Sequence, residues 1–170
     1  LRCIVCGDAP VPVFARSALA VVRSPGCGLE WQSPFPSEAR LRELYAGDYF
    51  ERWGAQTDAA YARVRAMKHA THGDFLREIA RLRSGGRLLD VGCATGFLLE
   101  VAQQQGFEPF GLDPNPQAVR IARKRFGERV QQGELDSAAF PGISFDAVTL
   151  IDVLEHVPDP AALLELVYNR

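Results

Sequence analysis

Two short stretches, Arg87-Leu88-Leu89-Asp90-Val91 and Phe145-Asp146-Ala147-Val148-Thr149-Leu150-Ile151, carry mostly apolar side chains with no helical period. Runs of that length and character read as strands buried in a parallel sheet. Between them the pattern alternates. Phe97 to Gln105 reads as a helix that Gly106 ends as a C′ residue, and Phe107 to Leu112 as a second strand closing at Asp113. Pro114-Asn115-Pro116 starts a helix to about Phe126, with Gly127 behind it, and a short strand follows near Arg129–Gln132. Pro158-Asp159-Pro160 opens a last helix. Strand and helix alternating through short loops predict a doubly wound α/β unit with right-handed crossovers.

Upstream the pattern is different. Asp58 to Leu82 is long and amphipathic, with Tyr61, Val64, Met67, Phe75, Leu76, Ile79 and Leu82 at helical spacing and Gly73 as a point of interruption. Ser37-Glu38-Ala39-Arg40-Leu41 reads as an N-cap and first turn. Residues 1–36 are rich in Pro, hold three of the four cysteines and contain short β-like runs such as Leu19-Ala20-Val21-Val22. The expected organisation is therefore a ribbon-like segment over 1–36, a helical lid or connector over 37–84, and a Rossmann-like unit from 85 to 170.

Composition narrows the function classes. With 170 residues, 47% hydrophobic and 24% charged, the chain can bury a core and is not disordered. A formal charge of −2 gives no polyanion-binding surface, so nucleic acid is not an expected partner. No apolar run approaches the roughly 20 residues of a membrane span, and four cysteines do not make a disulfide scaffold, so a cytoplasmic protein is expected.

The candidate chemistry lies in Asp90-Val91-Gly92-Cys93-Ala94-Thr95-Gly96, between a strand and a helix. Gly92 permits a sharp turn, while Ala94 and Gly96 let a ligand approach backbone at a helix N-terminus. The spacing is near the dinucleotide fingerprint, but the second glycine is Ala94 and the third position is Phe97. Charge separates the two readings. Asp90 stands where a pyrophosphate would lie, and Leu88 to Leu99 contain no Lys or Arg. A carboxylate there repels phosphate and suits a ligand with an ammonium and a sulfonium, as S-adenosylmethionine has. Asp113 closes the next strand, where an acid can accept bonds from both ribose hydroxyls. An NAD(P)-binding oxidoreductase domain is correspondingly disfavoured.

Leu88-Leu89-Asp90-Val91-Gly92-Cys93-Ala94-Thr95-Gly96, Gly111-Leu112-Asp113-Pro114, Phe145-Asp146-Ala147-Val148 and Val153-Leu154-Glu155-His156-Val157-Pro158-Asp159-Pro160 together resemble the class I S-adenosylmethionine-dependent methyltransferases. The resemblance covers residues 86–165 in the family's order. It implies that Asp90 faces the methionine ammonium, that Gly92, Cys93, Ala94, Gly96 and Phe97 line the methionine portion, and that Asp113 holds the ribose with Pro114 against the adenine. Glu134 and the Leu135 backbone match positions at the adenine edge; Ile151 and Asp152 fall beside the sulfonium. His156 is of the residue type suited to a base near the reaction mouth, although a structural histidine on the helix after the fourth strand is the favoured reading. Among the aromatics of the helical segment (Tyr45, Tyr49, Phe50, Trp53), Tyr45 is the expected contributor to a water-excluding lid. The run Arg120, Arg123, Lys124 and Arg125 reads as a solvated helix face, and His69 and His72 as surface residues.

Cys3-Ile4-Val5-Cys6-Gly7 is a rubredoxin-like knuckle, and Cys27-Gly28-Leu29 matches the end of a second. The branch that this chain resembles carries an N-terminal zinc ribbon with Cys-x2-Cys twice; here the position three before Cys27 is Ser24. Two readings stand: Cys3, Cys6 and Cys27 bind zinc with water or Asp8 as fourth ligand, or the ribbon has lost its metal.

The reading as a whole is an S-adenosylmethionine-dependent methyltransferase acting on a small-molecule or glycan-type acceptor, against a catalytically incomplete, methyltransferase-like binding module. Length sharpens it. The fold implied by resemblance has seven strands in the order 3-2-1-4-5-7-6, and only the first four are legible here. An exposed edge beside Ala147–Ile151 is a liability that native proteins cover. The expectation is a portion of a longer protein, or a homodimer or swapped segment covering that edge.

Overall fold

The computed structural model describes residues 2–17, 19–45 and 58–169. Three antiparallel strands come first: β1 (Val11–Arg16), β2 (Leu19–Arg23) and β3 (Glu30–Ser33), in that spatial order. Pro12, which has no N–H to give a ladder, lies on edge strand β1, and the register shifts just after it, between Pro12 and Phe14. Helix α1 (Glu38–Tyr45) begins where Ser37 Oγ accepts the Arg40 N–H at 3.3 Å, as its N-cap sequence predicts.

Helix α2 (Asp58–Leu82) runs unbroken through Gly73. Its buried stripe is narrower than the sequence pattern suggests. Met67, Phe75 and Leu82 are exposed, whereas Leu76 is fully buried with Ile79 packed beside it. His72, one turn before Leu76, is also buried. The expectation that His72 is a surface residue is thus corrected: the face that meets the sheet passes through 72 and 76, not through 67 and 75.

The remaining elements are β4 (Gly86–Val91), α3 (Phe97–Gln104), β5 (Phe107–Asp113), α4 (Pro116–Phe126), β6 (Val130–Gln132), β7 (Ala147–Thr149) and α5 (Pro160–Tyr168). The four strands form one parallel sheet in the order β6-β5-β4-β7, the α/β Rossmann-like arrangement expected. Alternation along β4 feeds two cores. Leu88 packs with Leu76, Leu98, Val101, Ala102 and Phe107, and Leu89 with Val91, Phe110, Leu112, Leu135 and Phe140. Helix α4 starts at Pro116 because the Asn115 side chain accepts the N–H groups of Gln117 and Ala118 at 2.9 and 3.0 Å. Asp159 does the same for α5 through Ala162 at 3.0 Å.

Strand β7 spans three residues of the seven-residue apolar stretch. It pairs with β4 from Leu88↔Ala147 to Asp90↔Thr149. Beyond it, Asp152 adopts the left-handed conformation at φ 57°, which ends the extended run. Because the chain leaves β4 toward β5 on one side and returns to β7 on the other, the strand order reverses at the carboxyl end of β4. Open α/β sheets bind ligands at such a crevice.

Candidate functional site

The loop after β4 is fixed by its own backbone. Gly92 and Cys93 donate their N–H groups to Leu112 O at 2.7 and 3.1 Å, tying the loop to β5. Gly92 has φ +79°, and a Cβ there would lie 2.6 Å from Val153 Cγ2. Gly96 has φ +87°, and a Cβ would come within 3.1 Å of the Phe126 ring. Both positions therefore require glycine, for conformation and for space. Ala94, at φ 47°, presents its N–H to Asp113 Oδ2 at 2.8 Å.

Two buried carboxylates flank this loop. Asp90 is 4% exposed, and its Oδ1 accepts the Thr149 hydroxyl at 2.6 Å. Burial pushes its pKa up to about 7; the Thr149 hydrogen bond opposes that rise and the nearby Asp113 charge adds to it. Asp113 is 6% exposed and accepts the N–H of Asn115 at 2.8 Å on its second oxygen. Burial raises its pKa too, and the two backbone donors oppose the rise. No Lys or Arg occurs from Leu88 to Leu99. A pair of buried acids without a cation in the adjoining loop suits a positively charged ligand and penalises a phosphate. The residues present thus fit the sulfonium and ammonium chemistry expected from sequence, on the strength of two buried carboxylates and a loop without a cation.

The other expected residues distribute unevenly. Cys93 is buried, and burial raises its thiol well above 9.0, so it is an inert packing group. Phe97 is half-buried, its ring 5.3 Å from that of Tyr61 on α2. Pro114 and Glu134 are exposed, while the Leu135 side chain belongs to the core and leaves only its backbone for a ligand. Ile151 packs half-buried beside Leu76 and Leu88. Asp152 is exposed, next to the 3₁₀ turn Leu154–His156. His156 therefore stands on a short turn, not on a helix, its side chain 43% exposed and 4.0 Å from Glu155. Tyr45 ends α1; its side chain, and Tyr49, Phe50 and Trp53, lie outside the described residues.

His72 escaped the sequence reading. Burial pushes its pKa down to about 4, with Lys68 and His69 reinforcing and Asp152 opposing the fall. Its Nδ1 has no hydrogen-bond partner among the described residues. The signal available was its i, i+4 relation to Leu76.

At the N-terminus, Cys3, Cys6 and Cys27 hold their sulfurs within 4.8 Å of one another. The chain makes two equivalent knuckles: Gly7 N–H donates to Cys3 O and Gly28 N–H to Ser24 O, both at 2.9 Å. Ser24 is fully buried, and its Oγ lies 3.0 Å from Cys6 Sγ, at the corner that a fourth cysteine would occupy. The Cys3 thiol is held down at about 6, chiefly by the Cys6 backbone amide, with the Val5 amide assisting against burial. Converging thiols with backbone donors fit a tetrahedral thiophilic cation.

A family model described as a methyltransferase domain matches residues 61–170. A ubiquinone biosynthesis O-methyltransferase of Xanthomonas campestris pv. campestris is 44% identical over 87 residues, covering 47% of this chain and 36% of its own length. The chain thus spans little more than a third of that relative. Among solved structures, the SAM-bound amino pentose methyltransferase CalS10 from Micromonospora echinaspora is 28% identical, with a TM-score of 0.55 over 66% of this chain and 51% of that one. The SAM-bound magnesium protoporphyrin IX methyltransferase of Synechocystis PCC 6803, 20% identical, shares the fold at a TM-score of 0.58 over 81% and 73% of the two chains.

Proposed function

Because this chain belongs to the methyltransferase-domain family, we propose that it binds S-adenosylmethionine and transfers its methyl group to a small-molecule or glycan-type acceptor. The observation that carries this reading is the pair of buried acids, Asp90 and Asp113, at the ends of adjacent parallel strands, with a cation-free glycine loop between them. The 44% identity to an O-methyltransferase favours a hydroxyl acceptor.

The cofactor supplies a sulfonium-activated methyl group when bound. The protein's share is orientation and exclusion of water. Asp90 takes the ammonium, and Thr149 keeps that carboxylate aimed. The Gly92–Gly96 backbone lines the methionine portion, with Cys93, Ala94 and Phe97 closing its sides. Asp113 accepts the ribose hydroxyls while its bond to Ala94 holds the loop closed. Pro114, Glu134 and the Leu135 backbone frame the adenine, and Ile151 and Asp152 border the methyl. His156 removes the acceptor's proton, and Tyr45 belongs to the lid. In this reading residues 1–36 form a ribbon, 37–84 a connector and 85–170 the cofactor unit. Among the described residues no helix is long and apolar enough to cross a membrane.

A second reading concerns the ribbon. The convergence of Cys3, Cys6 and Cys27 supports zinc held by three thiolates, with the Ser24 hydroxyl at the fourth corner.

Thermal denaturation with S-adenosylhomocysteine and, separately, NAD tests the main reading. S-adenosylhomocysteine should stabilise by about 2.7 kcal/mol at a hundred times its dissociation constant, and Asp90→Asn should remove most of that. Stabilisation by NAD alone overturns it. Bound cofactor with no turnover of any acceptor would point to the incomplete binding module.

A further inference from the structure

Away from the glycine loop, three basic side chains converge on one buried acid. Glu100 of α3 is 6% exposed. Its Oε2 accepts Arg65 Nε at 2.7 Å and lies 2.8 Å from His69 Nε2, while Arg125 of α4 pairs with Oε1. Arg125 also donates to the Tyr61 hydroxyl at 2.9 Å. Above this cluster lies a groove of about 450 Å³, lined by Tyr61, Ala62, Arg65, Ala66, His69 and Arg125.

Two guanidiniums face one carboxylate, while burial, then Arg65 and Arg125, lower the pKa of His69, so the guanidiniums are the source of the charge. The groove therefore keeps an excess positive charge. Arg65 spends Nε and Nη2 on Glu100, and Arg125 spends its two terminal nitrogens on Glu100 and Tyr61. Arg65 Nη1 and Arg125 Nε are left without a partner among the described residues. Ala62 and Ala66, one turn apart, keep that wall low enough to admit a ligand.

We propose that this groove is a second ligand site, separate from the cofactor loop, that takes a phosphate-type oxyanion. Two guanidiniums brought to one groove from α2 and α4 present planar N–H donors, the geometry that phosphate oxygens match, and Glu100 competes with the ligand for them. The proposal does not depend on the methyltransferase reading, since it concerns binding alone.

Calorimetric titration of inorganic phosphate into the full chain, at ionic strength held constant with sodium chloride, tests it with and without S-adenosylhomocysteine. One saturable site is expected. Arg65→Gln, with its fold checked by circular dichroism, should weaken binding about tenfold. Glu100→Gln removes the competing carboxylate and frees both guanidiniums, so it should tighten binding about tenfold. That gain cannot arise from loss of structure, and if the Glu100 variant does not fold, Arg65→Gln decides alone. Absence of saturable heat, unchanged affinity in Arg65→Gln, or weaker binding in a folded Glu100→Gln would overturn the proposal.

Discussion

Thr149 donates its hydroxyl to Asp90 Oδ1 at 2.6 Å, so a side chain of β7 offsets part of the pKa rise that burial imposes on an acid of β4. The consequence is linkage between pH, folding and ligand binding. Asp90 has a folded pKa of about 7 against an ordinary value of 3.8. The folded state therefore holds the proton more tightly than the unfolded chain. The stability this contributes is full below about pH 4 and is lost as pH rises through 7. The raised Asp113 acts in the same direction. Urea unfolding of the ligand-free protein should show on the order of 2–4 kcal/mol less stability at pH 8 than at pH 4.5 from Asp90, read as the difference between the parent and Asp90→Asn, because His72, pushed down to about 4, shifts stability the opposite way over the same range. A ligand whose ammonium meets Asp90 reverses the trend, because that group binds the ionised carboxylate. S-adenosylhomocysteine affinity should rise roughly tenfold per pH unit below 7 and level off above it. Calorimetry across pH measures this, and in Asp90→Asn the dependence should largely vanish.

Thr149→Val isolates the hydrogen bond. The methyl replaces the hydroxyl at similar volume, leaving the buried carboxylate without its side-chain donor. The Asp90 pKa should climb further, moving the inflection in cofactor affinity to higher pH. At pH 8 the variant should be about 1–3 kcal/mol less stable than the parent, and the deficit should shrink toward pH 5, where Asp90 is protonated. An unchanged inflection would mean that Thr149 does not tune Asp90.

Gly111 reports on how closely the cofactor loop approaches β5. A Cβ there would meet Cys93 Sγ at 2.7 Å and Leu99 Cδ1 at 2.9 Å, both buried. Gly111→Ala should therefore cost about 1–3 kcal/mol by overpacking and displace the loop, lowering affinity for S-adenosylhomocysteine. Cys93→Ala removes the sulfur and should recover part of the loss. A double-mutant cycle by urea denaturation reads the coupling; additive costs would place the strain elsewhere.

Much of this was legible in the sequence because the deciding features are local. Glycines that a turn demands, strand-end acids and Pro or Asn caps declare themselves within a few residues. What was not legible depends on distant partners. Phe140 lies in the irregular stretch between β6 and β7, yet it is 2% exposed at φ 49° and packs edge-on to Phe110 and Phe145 at 5.5 and 5.7 Å. Nothing periodic surrounds it to mark it as core. Arg125 read as part of a solvated basic face; its actual partner, Glu100, sits on a different helix. His72 was misjudged because the rotation of α2 about its own axis is set by what it packs against, and Met67 and Phe75 pointed to the wrong face.

Ser24 offers the sharpest test of the N-terminal site. Its hydroxyl lies 3.0 Å from Cys6 Sγ, at the start of a turn that matches the one Cys3 opens. A neutral hydroxyl is a weaker ligand than a thiolate, so a cation here should be bound by three strong donors and one weak one. Ser24→Cys completes the thiolate set. Titration with Co²⁺ should give a tetrahedral spectrum whose sulfur-to-metal charge-transfer band is stronger in Ser24→Cys than in the parent, in proportion to the thiolate count. Competition with a chelator should show tighter binding for that variant. Because metal binding and folding are coupled in small thiolate sites, the variant's gain should also appear as protection of residues 2–33 from proteolysis in the presence of zinc. A parent protein that takes up no Co²⁺ while Ser24→Cys does would mean that the serine abolished the site; uptake by neither would remove the metal from the ribbon altogether.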